Sequence, residues 1–378
     1  MSARAYLDWN ATAPLRADVR ASMQAALDVW GNPSSPHAEG RRARALIEDA
    51  REAVAELVGA RPENVVFTSG ATEANNTVLA AGWDAILLSP TEHDSVRVPA
   101  RAAAARLIEI PVDGNGVVRG EPLGASIAEL AARPGTRVLL TLQIANNETG
   151  VLQPLIPWAA VARRHGFRVH SDAVQGAGRL PIDIGALGAD YLSLSAHKIG
   201  GPKGAGALIL GKGAPVAALL NGGGQERRRR AGTENVAAIA GFGTAARAAR
   251  AELAAVDRVR RLRETLEREV RALAPEAVIL GAAAERLANT TCVAVPGTRA
   301  ETLVIALDLA GVAVSAGAAC SSGKVGASHV LQAMGLAPEI ASAAIRVSLG
   351  AASTERDVAR FLAAWARAAL ARGHRLVA

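Results

Sequence analysis

Apolar residues along this chain follow two patterns that alternate. One has the period of an amphipathic helix: Leu46, Ile47, Ala50, Val54, Leu57 and Val58 share a face, and Gly59 stands where such a helix would end. The other is a short apolar run bounded by turn residues or charges. It recurs at Val65–Thr68, Ala85–Ser89, Leu107–Ile110, Val138–Gln143, Phe167–Ser171, Tyr191–Ser195 and Ala205–Leu210. Helix-like stretches such as Trp158–His165 separate several of these runs. Strands without polar alternation need cover on both faces, so the order predicts an α/β domain with a largely parallel sheet and helices on both sides.

After Gly232-Thr233 the pattern changes. Val256, Val259, Leu262, Leu266, Val270 and Leu273 step by three or four through a charged background, which predicts one long helix. Beyond Pro275 the strand candidates are Thr290–Val295 and Val312–Ser315, with helices expected from there to the end. A smaller second domain is therefore placed from about residue 256.

Half of the 378 residues are hydrophobic and 20% are charged, which excludes a mainly disordered chain. No uncharged apolar run reaches the roughly 18 residues of a membrane span. Residues Met1 to Asp8 lack the basic-then-apolar order of a secretory leader, so a cytoplasmic protein without a membrane partner is expected. The net charge of +7 raises nucleic acid as a partner, but its make-up argues against one. Of 42 basic residues only four are lysines (Lys198, Lys203, Lys212 and Lys324), and the arginines are mostly interleaved with carboxylates. Arg227 to Arg230 form the one true basic run, and 3% aromatic residues supply few stacking platforms. Two cysteines, Cys292 and Cys320, make neither a disulfide framework nor a four-thiolate metal site, and no metal is expected.

In open parallel sheets, ligands bind beyond the carboxyl ends of the strands. The first run is followed by Ser69-Gly-Ala-Thr-Glu, a small-residue turn opening a helix; the second leads to Thr91-Glu-His93. Asn146-Asn-Glu148 follows the fourth, Asp172 the fifth, and Ala196-His-Lys198 the sixth. Singly, each has a plain reading: the turn as an N-cap, His93 as a surface histidine, Asp172 as a helix cap, Lys198 as a solvated lysine. Together, one rim gathers a phosphate cradle, a histidine, an amide, a carboxylate and a lysine in an apolar, glycine-rich setting. A lysine so placed can have its pKa lowered and form a Schiff base. Pyridoxal phosphate requires that lysine, a carboxylate for its pyridine nitrogen and a phosphate cup.

The motifs carrying these residues resemble those of the cysteine desulfurases of the NifS/IscS type, in the class-V aminotransferase family. They are Ser-Gly-Ala-Thr-Glu (69–73), Thr-Glu-His (91–93), Asn-Asn-Glu (146–148), His-Ser-Asp-Ala-Val-Gln (170–175), Ser-Ala-His-Lys (195–198), Gly-Pro-Lys-Gly (201–204), Gly-Gly-Gly-Gln-Glu-Arg (222–227) and Ala-Gly-Thr-Glu-Asn (231–235). The likeness runs from Tyr-Leu-Asp (6–8) to Ile-Arg-Val-Ser-Leu-Gly (345–350). It implies fold type I of the pyridoxal-phosphate-dependent transferases, an α/β fold with a mostly parallel seven-stranded sheet covered by helices, plus a smaller α+β domain. Residues 15–255 would form the large cofactor-binding domain, and residues 1–14 with 256–378 the small one.

Carried over by position, the resemblance implies that Lys198 holds the cofactor and moves the Cα proton, and that Asp172 pairs with the pyridine nitrogen. Gln175 would bond the ring hydroxyl, with Asn147 also beside the cofactor. His93 would stack on the ring and assist proton transfer. Ala71, Thr72, Ser195 and His197 would hold the phosphate, with Thr233 reaching the phosphate of a partner subunit, so that a homodimer is implied. Arg346, with Asn147 and Asn32, would take the substrate carboxylate, which a planar guanidinium suits. Arg228 and Arg229 stand where such relatives carry smaller or uncharged residues.

The two cysteines read differently. Cys292, within Thr291-Cys-Val-Ala, is a packing residue. Cys320 lies among small residues, Ser315-Ala-Gly-Ala-Ala-Cys-Ser-Ser-Gly323, where little could bury it, with Lys324 nearby to favour its thiolate. Its setting matches the family's Ser-x-Gly-x-Ala-Cys pattern. The implied activity is conversion of L-cysteine to L-alanine through a persulfide on Cys320, with the sulfur passed to an acceptor protein for iron–sulfur cluster assembly or to tRNA thiolation. Selenocysteine lyase activity on the same scaffold is the nearest alternative. An aminotransferase is more distant because it has no use for a nucleophilic thiol, and a basic nucleic-acid-binding protein is more distant still.

Overall fold

A computed structural model describes residues 4–317 and 328–373. The chain opens with a two-residue strand, β1 (Ala5–Tyr6), and two helices, Ala17–Leu27 and Ala38–Leu57. The apolar runs then form β2 (Val65–Thr68), β3 (Ala85–Leu88), β4 (Arg106–Glu109), β5 (Val138–Thr141), β6 (Arg168–Asp172), β7 (Tyr191–Ser195) and β8 (Gly206–Leu210). All seven belong to one sheet in the order β2-β8-β7-β6-β5-β3-β4. From β7 to β4 every pairing is parallel, whereas β8 runs antiparallel to both its neighbours. β2 therefore points the same way as β7, and its carboxyl end reaches the same rim as those of β3, β5 and β6. The inner strands are buried along their whole length save for Arg168 at the start of β6, while β4, at the edge, exposes Arg106 and Glu109 at its ends. Charge on an edge strand deters further pairing.

The long helix covers Val256–Leu273 and buries Val259, Leu262, Leu266 and Val270, the stripe expected from its spacing. It leads to a four-stranded sheet made of β9 (Val278–Ile279), β10 (Thr290–Ala294), β12 (Ser315–Ala316) and β13 (Ala344–Ser348), in the order β12-β13-β10-β9. A separate parallel pair joins β1 to β11 (Val312–Ala313).

Two expectations change here. Val312–Ser315 is not one strand: the chain leaves β1 after Ala313 and joins β13 at Ser315. Nor is the remainder helical, because β13 lies between β10 and β12. Its sequence, Ala-Ile-Arg-Val-Ser, alternates its two faces. Ile345 and Val347 join a core with Leu7, Leu262, Leu266, Val293, Phe361 and Trp365. Cys292, Ala294 and Ala344 face the other way, into the core of the large sheet. The small sheet is thus shared between two cores, which brings Arg346 of β13 to the large sheet's rim. No helix of the described residues is long and apolar enough to cross a membrane.

Candidate active site

The rim encloses a cavity of about 640 Å³. Ala71, Thr72, His93, Asn147, Asp172, Gln175, Ser195, His197, Lys198 and Arg346 all line it. Asn32 and Thr233 do not; both are exposed on the surface of this chain. Cys320 lies outside the described residues.

At one end the turn after β2 opens the helix Ala71–Leu79. The Ser69 amide donates to Glu73 Oε2 (2.8 Å), and Arg230 Nε donates to Glu73 Oε1 (2.9 Å), so the turn is fixed from two sides. The first amides of a helix have no intrahelical acceptor and carry the positive end of its dipole, which suits a phosphate dianion. β8 passes directly beneath. A Cβ at Gly206 would stand 2.6 Å from the backbone of Gly70, so only glycine permits this approach.

At the other end Asp172, the last residue of β6, is held by Asn75. The Asn75 Nδ2 donates to Asp172 Oδ2 (2.9 Å) and to Ser95 Oγ (2.8 Å). The Val174 amide donates to Asp172 Oδ1 (3.0 Å). The Ser95 amide in turn donates to His93 Nδ1 (3.1 Å), with Ser95 Oγ 2.8 Å from the same nitrogen. Nδ1 is therefore an acceptor, and the neutral ring of His93 carries its proton on Nε2. Behind Asp172, His170 is fully buried between Thr141 and Ser193, and burial lowers its pKa to about 4 despite the nearby carboxylate. It is a neutral prop. His197, flanking the lysine, is likewise lowered to about 4, by burial and then by Lys198 and Lys203.

Lys198 Nζ donates to the backbone carbonyls of Asn10 (2.7 Å) and Ala11 (2.9 Å). Gln175 Nε2 donates to the Asn10 carbonyl as well (3.1 Å), while Arg179 donates to Gln175 Oε1. The arginine thereby takes the oxygen of the amide and leaves its NH2 as the donor end. On the small-sheet side, Arg346 Nη2 donates to Asp8 Oδ1 (2.7 Å) and Nη1 to the Asn147 carbonyl (3.1 Å). Its Nε is buried without a hydrogen-bond partner among the described residues.

This donor set fits pyridoxal phosphate from end to end: helix amides for the phosphate, a buttressed carboxylate for the ring nitrogen and a lysine between them. The orphaned Nε of Arg346 fits a further carboxylate. Sequence reasoning missed Asn10, Asn75, Ser95 and Lys203. Asn75 left the clearest signal, as a fully buried amide one turn beyond Ala71 on an otherwise apolar face. Asn10 left none, since its carbonyl acts through main-chain geometry.

Residues 5–361 match the family described as Aminotransferase class-V. The chain is 39% identical over 370 residues to the cysteine desulfurase IscS of Dictyoglomus turgidum, which covers 95% of this chain and 92% of that one. Among solved structures, a NifS-like protein from Rickettsia africae aligns with a TM-score of 0.87 and 36% identity over 96% of this chain and 99% of its own. SspA, solved in complex with cysteine, aligns with a TM-score of 0.77 and 28% identity over 91% and 98%. With fold, motifs and relatives in agreement along nearly its whole length, the chain belongs to the pyridoxal-phosphate-dependent class-V aminotransferase family, among the cysteine desulfurases.

Proposed function

We propose that this protein releases sulfur from L-cysteine, forming L-alanine and a persulfide on Cys320 that passes to an acceptor protein. The observation that carries the reading is the convergence of Lys198, Asp172, His93 and Arg346 on one cavity. The bound cofactor supplies an electron sink for the carbanion at the substrate Cα. Ala71, Thr72, Ser195 and His197 would hold its phosphate, Asp172 its ring nitrogen and Gln175 its ring hydroxyl, with Asn147 alongside.

The chain's own groups divide the remaining work. Arg346 takes the substrate carboxylate, trading its contact with Asp8 for a two-pronged one and giving its unmatched Nε an acceptor. Lys198 accepts the Cα proton. His93, whose Nδ1 is taken by Ser95, holds a proton on Nε2 in the cavity and delivers it during turnover. The Cys320 thiolate attacks the substrate sulfur: an S–S bond forms, the Cβ–S bond breaks with its electron pair left on carbon, and a proton at Cβ completes alanine. Thr233, exposed on this chain, would serve the phosphate of a second subunit, and Asn32 would join the substrate site in the same assembly. A homodimer, a cytoplasmic location and the division into residues 15–255 and residues 1–14 with 256–378 belong to this proposal.

Purified protein loaded with cofactor should show a visible absorbance band that Lys198→Ala loses. With cysteine and a reductant it should form alanine and sulfide. Cys320→Ala should keep the colour and release no sulfide. Sulfide release by that variant would refute the persulfide route, and a selenocysteine-only wild type would assign the chain to the lyase reaction.

A further inference from the structure

Gln175 stands on the turn that follows β6, where amides donate four residues back: Ala177 to the Ala173 carbonyl and Leu180 to that of Gly176, both at 2.9 Å. The turn brings Arg179 back over Gln175, four residues earlier. Gly178 permits it, with φ at 72° and Ala249 2.9 Å from where a Cβ would stand. Arg179 Nη1 donates to the Gln175 carbonyl (3.0 Å) and to its side-chain Oε1. Nη2 donates to the Trp9 carbonyl (3.4 Å).

The two ends of the Gln175 amide thus face partners of opposite kind. A guanidinium only donates, so the end beside Arg179 is the oxygen. A main-chain carbonyl only accepts, so the end 3.1 Å from the Asn10 oxygen is the nitrogen. Nε2 carries two hydrogens, of which Asn10 takes one, and Gln175 lines the cavity. A charged donor on the amide oxygen also polarises the amide and strengthens its N–H as a donor. The hydrogen bonds of Arg179 among the described residues all go to oxygens of neutral groups. Burial and then the charge of Arg346 lower its pKa to about 10, which leaves it a cation at neutral pH. A cation given over to a neutral amide at the edge of the site calls for a role.

We propose that Arg179 is a positioning residue that locks the Gln175 amide with its nitrogen towards the cavity, so that the cofactor's ring oxygen meets a donor and is held without its proton. The inference rests on the reading of Gln175 as the partner of that oxygen. Without Arg179 the amide oxygen loses its donor, and the amide can turn over and accept the proton of the ring hydroxyl instead.

The absorption spectrum of the cofactor-loaded protein tests it, because the bound cofactor absorbs at longer wavelength when its ring oxygen has lost the proton than when it keeps it. At neutral pH, Arg179→Met should lower the ratio of long- to short-wavelength absorbance by about threefold or more. Its kcat for alanine formation should fall about fivefold. Arg179→Lys keeps a cationic donor and should recover the ratio to within about twofold of wild type. Arg179→Ala removes the same contacts with less bulk and gives the same readout should the methionine variant not fold. On a Gln175→Ala background, Arg179→Met should change the ratio no further, because the arginine acts through the amide. An unchanged ratio in Arg179→Met or Arg179→Ala, no recovery with lysine, or the full shift on the Gln175→Ala background would overturn the proposal. Failure of the underlying reading shows separately, as a Gln175→Ala protein whose ratio matches wild type.

Discussion

Two of the buried arginines, Arg51 and Arg346, meet carboxylates in pairs that are built differently. Arg51 gives Nη1 and Nη2 to the two oxygens of Glu226 at 2.8 and 2.7 Å, Nη1 also to the Val65 carbonyl, and Nε to Glu48. Glu226 Oε2 further accepts the Phe67 amide at 2.9 Å. Every nitrogen of that guanidinium is used. Arg346, buried at least as deeply, makes a single-pronged contact with Asp8, whose side chain is 17% exposed, and leaves Nε without a partner among the described residues. An unsatisfied buried donor costs about 1–3 kcal/mol. The first pair is therefore cement between β2, the helix Ala38–Leu57 and the short helical turn Gln225–Arg228. The second holds its arginine in place while keeping part of its bonding capacity for a ligand that brings its own carboxylate.

That contrast sorts the effects of substitution. The largest is expected for Glu226→Ala, which strands Arg51 as a buried, uncompensated charge. A loss of about 3–5 kcal/mol is expected in urea unfolding, with the KM for cysteine of the folded fraction unchanged. A raised KM at full stability would show that the two pairs do not differ in kind. Glu148 comes next, as a buried carboxyl group near Arg346 without an ion pair to it. Its pKa is raised to about 7, so between the ordinary carboxylate range and neutrality the folded state binds more protons than the unfolded one. Stability therefore falls as pH rises through that window. Glu148→Gln should remove this slope, gaining about 3 kcal/mol over wild type at pH 8.5 and almost nothing at pH 4. Parallel pH profiles of the two proteins would refute the assignment.

Arg346→Lys keeps the charge and discards the planar fork. Its kcat/KM for alanine formation should fall about 30-fold, near 2 kcal/mol, mostly through KM. Its unfolding midpoint should hardly move, because the native pairing was incomplete from the start. An equal loss of stability and activity would make Arg346 a second structural arginine.

What the sequence made legible follows the same division. Most strands of the large sheet were readable because they are short, mainly apolar runs covered on both faces, so composition marks them; β4, at the edge, exposes its end residues. The residues after those strands were readable because a parallel sheet delivers its carboxyl ends to one rim. β13 was not read, since its charged Arg346 interrupts a run of only five residues and its neighbours in the sheet are remote in sequence. Asn10 and Asn75 escaped for a related reason. Their value lies in what they hold in place, Lys198 and Asp172, and no local pattern announces a partner so far along the chain. Motif likeness supplied roles for Arg346 and Gln175, but none for the Asp8 and Arg179 that orient them.

The smallest expected effect tests how the cemented pair is reached. Glu226, Arg227 and Arg228 have φ values of 46°, 57° and 63°, three consecutive residues other than glycine in the left-handed region. Each such residue carries about 1 kcal/mol of strain. The bridge to Arg51 explains why the chain turns this way, because Glu226 must enter the core between two exposed stretches. Arg227 and Arg229 recover part of the cost by donating to the Glu63 carbonyl at 3.2 and 2.7 Å. Arg228 is exposed and combines a left-handed backbone with no such bond. Arg228→Gly should therefore stabilise the protein by about 0.5 kcal/mol, the relief of strain being partly offset by the greater freedom of glycine in the unfolded chain. Cysteine turnover should not change. In a Glu226→Ala background, where nothing pulls this turn inward, the gain should vanish; a gain that persists there would mean that the twist belongs to the turn itself and not to the Arg51 bridge.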